Sequence, residues 1–151
     1  MFRHDLRGQR GQALLELALL VPIFTILLIG AAEFGRLAYA SIEVSNAARA
    51  AAAYGAQSHI TAADTAGIRA AATQDAPNLT GISTAVTNTC SCSDGTSGVT
   101  CANAGTKCLG TARILETVQV NTTASVNVGF HIKGTTGSFT LHGLANMRVQ
   151  E

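Results

Sequence analysis

From Leu17 to Ala32 the chain carries no charged residue, and with Glu16 tolerated the apolar run reaches back to Ala13. That is about the 20 residues a helix needs to cross a hydrocarbon core. Such a run can span a membrane, fill the core of a soluble fold, or serve as a cleaved secretory signal. A core helix fits poorly, because the run is solid rather than one-sided and follows a basic leader. A signal fits better: Ala38-Tyr39-Ala40 has the small-residue spacing that would release a chain starting at Ser41. Against it, the stretch exceeds the roughly 7–15 apolar residues of such signals and holds both Glu16 and Pro22. We read it as a single transmembrane helix. Arg3, Arg7 and Arg10 stand before it against one acid, Asp5, and Glu33 precedes Arg36 beyond it. The positive-inside bias then places the N-terminus in the cytoplasm and most of the chain outside it.

Glu16 is the anomaly. A carboxylate at the centre of a span costs roughly 2.5–3.5 kcal/mol on insertion scales, and less near its end. A plain anchor would let the side chain snorkel to the cytoplasmic interface. The spacing offers another reading: Gly11 is followed by Gln12-Ala13-Leu14-Leu15-Glu16, so a cut after Gly11 leaves glutamate as the fifth residue of a chain that opens with an apolar helix. This resembles the processing site of type IV prepilins, in which a membrane peptidase cuts after glycine and the glutamate meets the new N-terminal ammonium of a neighbouring subunit. Pairing makes physical sense, since each charge alone is costly in a low-dielectric setting.

The stretch "GQALLELALLVPIFTILLIGAAEFGRLAYASIEVSNAARAAAAYGA", Gly11 to Ala56, resembles the TadE-like family of the tight-adherence (Flp-type) pilus system. The end, "FTLHGLANMRVQE", is more distantly similar to that family's closing strand. The resemblance implies a minor pilin or pseudopilin bound to the inner membrane. Its implied partners are the prepilin peptidase, other pilin-like subunits and the pilus assembly machinery, with Gly11 and Gln12 as processing site and Glu16 as assembly residue. The competing reading is an anchored or secreted binding domain unrelated to pili.

Composition narrows the rest. A net charge of +1 with 13% charged residues gives no basic field for nucleic acid. Beyond residue 55 the chain is close to the size at which one apolar core needs covalent help. Four cysteines, Cys90, Cys92, Cys101 and Cys108, sit in the Gly-, Ser- and Thr-rich stretch 90–108. On the oxidising side of a membrane they are expected to form two disulfides. Zinc fits less well, because C-x-C followed by gaps of eight and six residues lacks the paired spacing of four-thiolate sites. Cys90 with Cys92 is sterically the least favourable pairing. The other two connectivities stay open, with nested pairs suiting a loop that closes between two strands.

The expected fold is α+β, with a leader at 1–11, a membrane-spanning and projecting helix at 12–55 and an extracytoplasmic domain at 56–151. Good helix formers carry the first helix to a stop at Gly55, with Glu33 and Arg36 paired one turn apart and a packing face of Phe34, Leu37, Ile42 and Val44. A short helix is expected over Ala62–Asp75, opened by Thr61-Ala62-Ala63-Asp64, with Arg69 solvated. Residues 81–89, 112–120, 124–132 and 138–149, rich in β-branched side chains and broken by "KGTTG", predict an antiparallel sheet of three or four strands packed on the projecting first helix. No catalytic or metal constellation emerges: His59, His131 and His142 are scattered, Asp94 and Glu116 form no carboxylate pair, and no cofactor motif is present.

Overall fold

The computed structural model describes residues 7–129 and 137–150, with side chains from Gly11 onward. The leader up to Leu6, His131 and most of "KGTTG" lie outside the described residues. The fold is α+β and divides into two compact units, Met1–Leu37 and Ala38–Glu151.

The first unit is helical. Helix α1 runs Arg7–Gly55 and continues through Pro22, whose ring nitrogen leaves the carbonyl of Ala18 without its helical donor. One turn later Thr25 Oγ1 donates to the carbonyl of Val21 at 2.8 Å, so its hydroxyl stays satisfied on an apolar surface. Arg36 pairs with Glu33 at 3.2 Å.

The second unit contains the C-terminal part of α1, helices α2 (His59–Ala63), α3 (Thr65–Asp75) and α4 (Ala104–Lys107), and strands β1 (Ser83–Cys92), β2 (Ile114–Asn127) and β3 (Ser138–Arg148). The strands form one antiparallel sheet in the order β1-β2-β3. Val120, on the central strand, stands opposite Val86 on one side and Ala145 on the other. Its face carries Val118, Val120, Thr122 and Ala124, all buried, as the period-two alternation of a half-covered strand requires.

The cover is made of small residues. Val44, Ala47, Ala48, Ala51 and Ala52 are fully buried and fall at the i, i+3, i+4, i+7, i+8 spacing of one helix face. The core continues through Ala62, Ile68, Ala72 and Val149. This corrects the larger-residue face expected from sequence: Val44 belongs to it, but Phe34 is 76% and Ile42 59% exposed. Alanines win because helix and sheet approach closely. Thr122 Oγ1 donates to the carbonyl of Val44 at 2.8 Å, and a Cβ placed on Gly143 would lie 2.5 Å from that same oxygen. Gly55 does end α1, but it is needed for space: a Cβ there would meet Ile68 Cδ1 at 3.0 Å and Val118 Cγ1 at 3.1 Å.

Two further expectations need correction. The single helix over 62–75 is two, because Ser58 and Thr61 form a reciprocal capping box that starts α2 early. Asp64 then begins α3 by accepting from the Gly67 amide at 2.9 Å. Tyr54 donates its hydroxyl to the other Asp64 oxygen at 2.9 Å. The Gly67 amide first, and then Tyr54, hold the Asp64 carboxyl below its ordinary range. The strands expected at 112–120 and 124–132 are one strand, β2, whose "NTT" at 121–123 stays in the ladder. Thr122 is polar but satisfied by the Val44 carbonyl, so nothing forces a break.

Candidate functional site

Two regions carry the residues singled out in the sequence. At the start of α1, Gly11 has no atom within 4 Å of where a Cβ would sit, so its bareness is not a demand of packing. Gln12 and Glu16 are one turn apart, and Gln12 Nε2 donates to Glu16 Oε1 at 3.3 Å. Both side chains are exposed, as is every residue from Gly11 to Ala32. Leu14, Leu15, Leu17, Leu19, Phe24, Ile26, Leu27 and Leu28 all leave more than half their surface uncovered. An uncovered apolar surface of this extent marks a membrane or protein interface, and among the described residues this helix is the one long and apolar enough to cross a bilayer.

The second region is the far end of β1. Cys90 and Cys92 lie on the strand itself rather than in the loop beyond it. After Cys92 the chain turns: the Gly95 amide donates to the Cys92 carbonyl at 3.1 Å, and Asp94 Oδ1 accepts from the amide and hydroxyl of Thr96 at 3.0 and 2.8 Å. Those bonds, the amide's first, draw the Asp94 carboxyl below its usual range. Gly95, Gly98 and Gly110 take positive φ around this excursion, a conformation glycine adopts without a Cβ penalty. The returning chain meets Cys90 with Cys101 (Cα–Cα 4.9 Å), and α4 then delivers Cys108 to Cys92 (Cα–Cα 5.3 Å). The bonds therefore interleave, where a simple closing loop suited nesting. Alternate residues of one strand point to one face, so both partners come from the same side.

We expect non-reducing peptide mapping of the purified chain to recover Cys90 with Cys101 and Cys92 with Cys108. The closed rings span separations of 11 and 16 residues, and each bond should contribute about 2–4 kcal/mol by restricting the unfolded chain. Nested pairs, four free thiols or stoichiometric zinc would contradict the arrangement.

Sequence reasoning missed two polar contacts that only the tertiary fold creates. His59 Nδ1 bonds Glu116 Oε2 across 57 residues of chain, and Glu116 is 8% exposed. Asn78 Nδ2 donates to buried Glu43 Oε1 at 2.7 Å. His142 is exposed on β3 opposite Thr123, and Arg69 is exposed on α3. Asp94 and Glu116 do not pair with each other. A shallow depression of about 380 Å³, lined by Ala53, Ala56, Gln57, Met147, Arg148 and Gln150, brings together no group suited to catalysis.

Residues 11–53 match the family model described as TadE-like protein. The match stops short of the cysteines and of "FTLHGLANMRVQE". No curated protein and no solved structure matches the chain. Over the apolar helix and its alanine-rich continuation, residues 11–53, the chain is similar to the TadE-like family, and the remaining residues lie outside that likeness.

Proposed function

We propose that the chain is a pilin-like minor subunit, a pseudopilin, that acts in the assembly or tip of a tight-adherence pilus. It crosses the inner membrane once with its N-terminus in the cytoplasm. The prepilin peptidase cuts between Gly11 and Gln12, and Glu16 pairs with the new ammonium of a neighbouring pilin-like subunit. The observation that carries this reading is one carboxylate, a single turn after Gln12, in the uncovered apolar stretch from Gly11 to Ala32 inside the family match. Left alone in lipid that carboxylate is costly, whereas a cationic neighbour offsets much of its own desolvation and of Glu16's. The disulfide-bonded unit of residues 38–151 supplies the surface outside the membrane.

Glu16→Gln tests the pairing. It lowers the cost of insertion, so membrane abundance and the disulfides of the outer unit should match wild type. Crosslinking to other pilin-like subunits should fall about tenfold, the equivalent of losing one charge-assisted contact of roughly 1.5 kcal/mol. Equal crosslinking at equal abundance would make Glu16 an interfacial acid without an assembly role.

A further inference from the structure

The two disulfides have different surroundings. Cys92 is buried and Cys108 half-buried, whereas Cys101 is exposed and its partner Cys90 half-buried. Glu116 stands directly opposite Cys90 in the β1–β2 register. Cys90 Sγ, Cys101 Sγ and a Glu116 carboxylate oxygen all lie within 4.8 Å of one another. The same carboxylate bonds His59 Nδ1, and the His59 side chain is 57% exposed. A buried carboxylate thus sits against one disulfide, linked to solvent by an imidazole. The oxidised sulfurs are not thiolates, so the cluster is no metal site in this state.

We propose that Cys90–Cys101 is a thiol–disulfide exchange site for a low-molecular-weight thiol, with Glu116 and His59 handling the proton of Cys90. The inference stands on the geometry of this sheet end and is independent of the pilus reading. The incoming thiolate attacks the exposed Cys101 Sγ, and its electron pair forms the new S–S bond as the Cys90–Cys101 bond breaks. The bonding pair leaves on Cys90 Sγ. A thiolate beside a carboxylate is unfavourable until it is protonated, and the His59 imidazolium delivers that proton through Glu116, ending as neutral imidazole. In reverse, the pair withdraws the Cys90 proton, Cys90 attacks Cys101 in the mixed disulfide, and the small thiol departs as thiolate. One disulfide is exchanged for another in each direction, so no separate oxidant or reductant is consumed.

The test exposes the full-length protein in detergent to reduced glutathione, with acid quenching, alkylation and peptide mapping over time. Cys90–Cys101 should open at least about tenfold faster than Cys92–Cys108, with glutathione on Cys101 and a free thiol on Cys90. Both Glu116→Gln and His59→Ala should slow that opening by about tenfold or more, the lower range of what proton transfer by a placed side chain supplies. They should also spread the adduct over both sulfurs while leaving Cys92–Cys108 unchanged. Should Glu116→Gln fail to fold, His59→Ala decides, because an exposed imidazole can be truncated without opening the core. Equal opening of the two bonds, an adduct mainly on Cys90, or wild-type rate and adduct partition in His59→Ala would overturn the proposal.

Discussion

Gly143→Val is expected to destabilise the unit of residues 38–151 by about 3 kcal/mol or more, above the usual 1–3 kcal/mol cost of overpacking. A Cβ at this position would stand 2.5 Å from the Val44 carbonyl oxygen, 2.6 Å from Thr122 Oγ1 and 2.9 Å from the Val44 carbonyl carbon. Two of those three atoms are helix backbone, which cannot rotate aside. The third is held by its own bond to the Val44 oxygen. Relief therefore requires α1 to lift from β2 and β3, uncovering Val118, Val120 and Ala145. Thermal unfolding of the detergent-solubilised chain should show a Tm lowered by about 10 °C or more. Gly105→Ala is the control, since a Cβ there meets nothing within 4 Å. A Gly143→Val midpoint equal to the control would mean that helix and sheet are not in contact there.

The second large effect concerns Gly11. Its surroundings within the protein are open, so Gly11→Val should leave helix, insertion and disulfides unchanged. On the proposed reading it should nevertheless abolish processing, because a β-branched side chain enters the peptidase site at the bond to be cut. Membranes from cells carrying the matching peptidase should hold only intact chain for the variant, with a control pilin processed normally. Processing of the variant at the wild-type level would remove glycine from the recognition.

Much of this architecture is legible residue by residue. The apolar run and the alanine-rich stretch after it read as one helix because neither contains a stop signal between Pro22 and Gly55, and that helix is observed. The β-branched segments read as strands for the same local reason. What escapes sequence reading depends on distance. Which side of α1 packs is set by how closely the sheet approaches, and that closeness is made by Gly143 and Ala145, about a hundred residues downstream, so large Phe34 and Ile42 mislead where alanines hold the core. Thr122 reads as a strand break until the Val44 carbonyl is beside it. Ser58 looks like any loop serine, yet its reciprocal bonds with Thr61 move the first helix start from 62 to 59. His59 and Glu116, 57 residues apart, leave no local pattern at all. The interleaving of the cysteines follows from a turn at 93–96 and a four-residue helix, features too short for periodicity to reveal.

The central claim is that the chain is matured as a pilin. Its most direct test is the N-terminus of the wild-type protein recovered from membranes of cells with an active prepilin peptidase, read by intact mass and N-terminal peptide mapping. The account predicts a chain beginning at Gln12, with the apolar helix and both disulfides retained. A chain beginning at Met1 with a control pilin fully processed, or one beginning at Ser41 after loss of the helix, would contradict it.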